Sequence, residues 1–283
     1  MHHTTHLDQL PSAVPAGYGD GKSAGYTRRT YVEQGMGSVH MGTGISQLEP
    51  GGHISHHLHA FEESFYILEG SLLCQIGDAA YELGPGHYGL IPTGTPHAWQ
   101  NKGSAPARWV EMQAPQPRPE GGDTFFVAGE LAASGQAPDP ARAAETMVSH
   151  FDEGQLPKPG EPGQMEGFNA TTGVAIKMFV DRSSGATHQS LFLIQYQPGA
   201  KIDAHDHTFE ESYYIVSGLV KAVADGETYE LGAGDLIWTS VGCIHSFEQM
   251  GDEPVRWIET QAPLPPAKEA FRFERDWSGK YSG

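Results

Sequence analysis

Cysteine is nearly absent: Cys74 and Cys243 are the two thiols in 283 residues. Two cysteines cannot build the disulfide framework of a small secreted domain. They fit a reducing compartment, so a cytoplasmic location is expected. Basic residues are also scarce, with 17 Lys and Arg against 35 Asp and Glu and a formal charge of −18 at pH 7. Such a chain is repelled by a phosphate backbone or an anionic membrane, which excludes nucleic acid as a partner. No run of about 18 apolar residues exists to span a bilayer. The first ten residues are polar, with His2, His3 and His6, so they carry no secretory signal and read as a disordered arm.

What is present in quantity is glycine (36) and proline (20), beside 38% hydrophobic and 10% aromatic residues. That balance suits many short strands joined by tight turns, and an all-β fold follows. The strongest pattern is an internal repeat. Residues 51–70 read GGHISHHLHAFEESFYILEG and residues 199–218 read GAKIDAHDHTFEESYYIVSG, aligned without a gap at 199 − 51 = 148. The same offset pairs Gly86 with Gly234, His97 with His245, Trp109 with Trp257, Glu111 with Glu259 and Gln113 with Gln261.

Two copies of roughly 90 residues each are two domains rather than a solenoid, whose repeats are shorter and more numerous. The expected layout is a polar arm at 1–25, a first barrel at 26–117 and a Pro/Gly/Ala-rich linker at 118–170. A second barrel at 171–265 and a tail at 266–283 complete it. The linker holds one short helix candidate near residues 140–151. Within each copy, runs such as 64–68, 72–76 and 108–112 are rich in aromatic and branched residues and are bounded by Gly, Asp or Pro. Roughly eight such strands per copy point to a closed barrel or jelly roll.

Each copy carries the same chemical pattern. His57 and His59, and likewise His205 and His207, are two apart and share one face of a strand. Glu63 and Glu211 follow four residues later with the same parity. His97 and His245 arrive at 97 − 59 = 38 and 245 − 207 = 38, far enough to lie on a neighbouring strand. Three imidazoles and one carboxylate suit a divalent transition metal, Mn, Fe, Co, Ni, Cu or Zn, with one ion per barrel. Four ligands saturate tetrahedral zinc but leave a six-coordinate metal two open positions, which favours a catalytic site.

These residues resemble the cupin superfamily. Its first motif is matched by Gly51, His57, His59, Glu63 and Gly70, and again by Gly199, His205, His207, Glu211 and Gly218. Its second motif is matched by Gly86, Pro92, Gly94, His97 and Asn101. The second copy keeps Gly234, Gly242 and His245 but has Ser240 for the proline and Gln249 for the asparagine. The resemblance covers about two thirds of the chain and implies a bicupin, two tandem double-stranded β-helix (jelly-roll) barrels. It also implies a metal enzyme acting on a small organic molecule, first of all an O2-dependent dioxygenase such as the quercetin-cleaving ones. In that chemistry Glu63 and Glu211 are both ligand and catalytic base. Two alternatives stand beside it: Lewis-acid catalysis without redox change, as in ureidoglycine aminohydrolases, isomerases and decarboxylases, and a non-catalytic metal-containing binding protein. A small-molecule substrate, no nucleic acid and no membrane are the expected partners, and a homo-oligomer is compatible with all three.

Other residues receive plainer roles. Glu62 and Glu210 have the opposite parity to the histidines and are expected to face solvent or a turn, while His53 and His56 are expected at the surface. His40 and His188 read as hydrogen-bonded structural residues, and Phe65, Tyr213 and Trp99 as barrel lining. Among Gln47, Gln75, Gln113, Gln195 and Gln261, one or two are expected to orient a ligand. Cys243 reads as a small buried residue, and Arg108 and Arg256 as partners of a substrate carboxylate, of Glu111 and Glu259, or of solvent.

Overall fold

The computed structural model describes residues 1–119, 122–158, 173–265 and 271–273, and strand dominates throughout. No helix among the described residues is long and apolar enough to cross a membrane. The chain divides into two compact units that do not follow chain order. One is Leu10–Asp152 with Phe179–Gln189; the other is Met1–Gln9, Glu153–Met178 and Ser190–Gly283. Each holds one copy of the repeat, and they are called here the first and second barrel.

The first barrel is organised by one long strand, Gly42–His59. Its opening residues pair with Ala107–Ala114 and with Ser23–Val32, and its later ones pair with His97–Gln100 and Thr124–Phe126. The strand therefore contributes to two walls and has to bend between them. Gly51, at φ +76°, and Gly52 supply the bend. A Cβ on Gly52 would lie 2.8 Å from the carbonyl oxygens of Ala24 and Glu49, so glycine is required there. The sheet runs Val148–His150, His87–Ile91, Glu62–Glu69, Ala107–Ala114, Gly42–His59, His97–Gln100, Leu72–Ile76, Ala79–Leu83.

In the second barrel the corresponding strand is split into Ser190–Tyr196 and Lys201–His207 by a turn in which Ala200 N–H donates to Gln197 O at 2.9 Å. Two sheets result. One runs His2–His6, Asp235–Thr239, Glu210–Ser217, Val255–Ala262, Ser190–Tyr196, Val174–Val180. The other runs Glu227–Gly232, Leu219–Ala224, His245–Met250, Lys201–His207, Phe271–Phe273. Both barrels confirm the all-β jelly-roll expectation.

Three local expectations need correction. The start of the chain is not a disordered arm: His2–His6 is a strand in antiparallel register with Asp235–Thr239, and the Met1 amine lies 2.8 Å from Asp225 Oδ2. A sheet edge offers unpaired backbone N–H and C=O groups to any segment, so a polar stretch joins without an apolar pattern. The helix expected near residues 140–151 is a 3-10 turn, Pro140–Arg142, followed by one α turn, Ala143–Thr146. After it Val148–His150 extends the sheet instead.

Glu62 is the third. It faces away from the histidines as its parity requires, yet it is buried, accepting the backbone N–H groups of Thr187 at 2.8 Å and His188 at 2.9 Å. The segment Phe179–Gln189 covers that face, a long-range contact that strand parity does not report. His188 itself is exposed.

Alternation packs each barrel interior. In the first, Trp99 stacks on Trp109 with ring centroids 5.1 Å apart, and Phe65 meets Trp99 edge-on at 5.1 Å. All three are buried, so the barrel-lining expectation for Phe65 and Trp99 holds. The motif positions Asn101 and Gln249 both tie loops. Asn101 Nδ2 donates to Leu48 O and Ala105 O, while Gln249 Oε1 accepts from Gly199 N–H and its Nε2 donates to Glu253 O. The substitution in the second motif therefore preserves the loop contact.

Trp109→Ala should destabilise the chain by about 3–5 kcal/mol through lost burial and the cavity left against Trp99. Urea unfolding followed by circular dichroism checks this; an unchanged midpoint would contradict the packing described.

Candidate metal centres

The bend in Gly42–His59 sets the register that builds the first cluster. A one-residue shift between Ile54 and His57 leaves His57 directly opposite His97, and His205 stands opposite His245 in the same way. His59 and His207 follow on the same strand faces. Nitrogen atoms of His57, His59 and His97 all lie within 4.8 Å of one another, as do those of His205, His207 and His245. All six residues are buried.

Each imidazole is locked by its second nitrogen. Nδ1 bonds a backbone carbonyl in every case: His57 to Ser55 at 2.8 Å, His59 to Phe61 at 3.0 Å, His97 to Thr95 at 2.9 Å. His205 bonds Asp203 at 2.9 Å, His207 Phe209 at 2.7 Å and His245 Cys243 at 3.0 Å. A carbonyl only accepts, so the proton sits on Nδ1 and the Nε2 lone pair turns into the barrel. Burial, reinforced by the neighbouring His59, pushes His57 down to about 4. Burial and His245 push His205 down to about 3. His97 is also held well below the usual histidine range, first by burial and then by His57 and His59. Such imidazoles are neutral at pH 7, the form that ligates.

The glutamates close both clusters. Glu63 Oε2 lies 3.1 Å from His59 Nε2; Glu211 Oε2 lies 2.7 Å from His207 Nε2 and 3.2 Å from His245 Nε2. A carboxylate oxygen facing an imidazole lone pair is an arrangement of two acceptors, and it is relieved by a cation between them. His97 Nε2 is buried with no hydrogen-bond partner, a further sign that the donor set suits a metal ion. Gln261 Nε2 donates to Glu211 Oε1 at 2.8 Å, so one of the strand amides does orient a glutamate, and Tyr213 Oη donates to the other oxygen.

A second buried carboxylate stands beside each cluster. Arg108 pairs with Glu69, and Arg256 with Glu153 and Gln195, so neither arginine meets the glutamate expected for it. Glu111 instead accepts from Ser46 Oγ at 2.6 Å and from Gln113 Nε2, and Glu259 accepts from Trp257 Nε1 at 2.9 Å. Burial and then Glu63 raise Glu111; burial and then Glu211 raise Glu259 well above the usual range. The signal was available in the sequence: residues 109, 111 and 113 share one face of Ala107–Ala114, opposite to Arg108.

Other candidates fall outside the clusters. His56 is buried rather than superficial, and His53 is half-buried. Cys243 is buried as expected and joins a third grouping with His2 and Asp225. Burial and then Asp225 push its thiol up to about 12, and His2 Nε2 is engaged by Tyr229 Oη at 2.8 Å. A neutral thiol is a poor ligand. Of the tail, Phe271–Phe273 is described; it pairs with Lys201–His207, setting Phe273 opposite His205, as Thr124–Phe126 sets Phe126 opposite His57 in the first barrel.

The cavities differ sharply. One of about 440 Å³ opens in the first barrel, and the one beside the second cluster holds about 50 Å³. The larger cavity is not lined by the histidines. It reaches them through Phe61, whose ring stacks on His59 at 4.1 Å, and through Thr124, paired with His59.

A closed β-barrel with three inward imidazoles and a carboxylate, made twice, defines a double-barrel protein with two candidate metal centres. The cupin domain family matches residues 44–112 and 192–260, one match per barrel. The chain belongs to the cupin superfamily and is a bicupin.

A curated relative, polyketide synthase CurC of Streptomyces cyaneus, is 34% identical over 83 residues, 29% of this chain and 54% of that protein. Tetracenomycin polyketide synthase protein TcmJ of Streptomyces glaucescens is 31% identical over 88 residues, 31% of this chain and 59% of that protein. The chain thus spans little more than half the length of the curated relatives it matches. Among solved structures, oxalate decarboxylase of Bacillus subtilis superposes with a TM-score of 0.64 at 20% identity, covering 97% of this chain and 78% of the other. The formate complex of Lactobacillus farciminis oxalate decarboxylase gives 0.67 at 16% identity, covering 98% and 89%. At such identities the likeness is one of fold.

His97→Ala should remove one of two bound divalent metal equivalents per chain, and His97→Ala with His245→Ala should remove both. Elemental analysis after dialysis reads this; full metal content in the double variant would contradict the ligand assignment.

Proposed function

We propose that this chain is a divalent-metal-dependent enzyme that binds a small organic substrate through an oxygen atom and transfers a proton by its site glutamate, without net oxidation. The observation that carries this reading is the set of three buried, inward-facing imidazoles with a carboxylate against them, present in each barrel. His57, His59, His97 and Glu63 would hold the ion in one barrel, and His205, His207, His245 and Glu211 in the other. A metal there supplies Lewis-acid polarisation of a substrate oxygen.

The protein's own groups handle the proton. Glu63 and Glu211 are placed to accept it, and Glu111 and Glu259, whose hold on a proton is raised by burial and then by the neighbouring Glu63 and Glu211, are placed to return one. Two carboxylates whose environments drive their affinities for a proton apart are the usual basis of acid and base roles. Relatives named for polyketide synthesis and neighbours named for oxalate decarboxylation support chemistry on oxygen-rich carbon skeletons. One neighbour is described with Mn(II) centres, so manganese is the metal to load first. The O2-dependent reading has one support, that three histidines and one carboxylate leave two positions open on a six-coordinate metal.

Glu63→Gln should keep its metal and lose about 100-fold or more of turnover on a substrate processed in that barrel. Turnover should be equal with and without O2, read by product formation in matched aerobic and anaerobic assays. A strict need for O2, with O2 consumed in proportion to product, would replace the non-redox reading with the dioxygenase one.

A further inference from the structure

The internal repeat allows the two barrels to be compared position by position. Their clusters are the same, but the walls beside them are not. At the 148-residue offset, Arg28 becomes Ile176, Thr30 becomes Met178 and Gly44 becomes Phe192. Ile176 and Phe192 line the pocket of about 50 Å³ that touches His205, Glu211 and His245, whereas Arg28 and Thr30 line the cavity of about 440 Å³ that meets the first cluster through Phe61 and Thr124. That larger volume is in the range of pockets that hold small organic ligands.

Arg28 is an unusual wall residue. Its side chain is 9% exposed, yet its Nε and Nη2 are buried without a hydrogen-bond partner. A buried guanidinium with unused donors is costly unless something supplies acceptors. Neutralising Glu111 does not account for it. Arg28 Nε stands 3.5 Å from Glu111 Oε1, while both Glu111 oxygens are already served by Ser46 and Gln113. The equivalent Glu259 is buried with no arginine at the matching position, taking Trp257 and Gln261 as donors. Gly44 also makes room for Arg28: a Cβ there would lie 2.9 Å from Arg28 Nε and 2.7 Å from Arg29 O.

We propose that the first barrel is the substrate-binding one, and that Arg28 anchors there the carboxylate of an organic acid about the size of a substituted aromatic ring. The planar fork of guanidinium donors matches two carboxylate oxygens. Tyr26, Phe61 and Val32 give the same cavity apolar walls for the acid's body. Gln116, whose buried Oε1 has no hydrogen-bond partner, is a further polar residue of its lining. The second barrel, closed by Ile176 and Phe192, keeps its cluster without room for such a ligand. That the bound acid is a substrate rests on the enzyme reading above; the anchoring by Arg28 does not.

The test is isothermal titration of benzoate and of its neutral isostere benzamide into metal-free and Mn2+-loaded protein. Wild type should bind one benzoate per chain and bind benzamide at least tenfold more weakly. Arg28→Gln should weaken benzoate at least tenfold and leave benzamide unchanged. Thr30→Glu keeps Arg28 and sets a competing carboxylate two residues along the same strand face, so it should weaken benzoate similarly and decides the matter if Arg28→Gln does not fold. Absent binding in wild type, equal affinity for benzoate and benzamide, two benzoates per chain, or undiminished benzoate binding in a folded variant would each overturn the proposal. Mn2+ binding is measured in parallel. Its failure with benzoate binding intact would remove the metal-enzyme reading and leave Arg28 in place.

Discussion

The hydrogen bond from each histidine Nδ1 to a backbone carbonyl is the constraint on which the rest of the structure's chemistry depends. A free imidazole has two tautomers and turns about two bonds; here six rings are held to one tautomer and one orientation by the strand or turn residue two positions away. The restraint works only because the backbone on both sides is pinned in a sheet, with His57 paired to His97 and His205 to His245. Loss of that pairing would free the rings and scatter the lone pairs. The barrel is therefore a device for preorganising ligands before any ion arrives.

Burial adds the second ingredient. Placing imidazoles and carboxylates where water is excluded disfavours charge on every one of them, and the outcome then depends on partners. His57, His97 and His205 have no compensation adequate to keep a proton and stay neutral. Glu211 lies against His207 and His245 and is held well below the usual carboxylate range, while Glu259, beside Glu211 on the adjoining strand, is raised well above it. Opposite behaviour in two chemically identical side chains arises from a few ångströms of placement.

The two barrels show how a duplicated scaffold separates scaffolding from specificity. The ligating positions are the same in both copies, as is the phenylalanine stacked on His59 and His207. Wall positions such as 28, 30 and 44 diverge, becoming Ile176, Met178 and Phe192 in the second copy. A metal site constrains few residues tightly, because ligands must converge on one point; a pocket wall tolerates exchange as long as the sheet alternation is respected.

Much of this was legible in the chain. The repeat at constant offset, the strand alternation and the spacing of His57, His59, Glu63 and His97 already imply two β-barrels with inward histidines, because parity and separation are local properties. Glu111 and Glu259 could have been placed by the same parity, had it outweighed the nearness of Arg108 and Arg256. Other features depend on contacts between distant segments. His2–His6 completes a sheet edge, Phe179–Gln189 buries Glu62, and Phe271–Phe273 takes the place that Thr124–Phe126 holds in the first barrel. Backbone pairing and covering segments carry no side-chain signature, so only the tertiary structure could decide them. It also decided that Arg28 lines a cavity and that its buried Nε and Nη2 lack hydrogen-bond partners, since the acceptors a guanidinium lacks are a property of its surroundings and not of its neighbours in sequence.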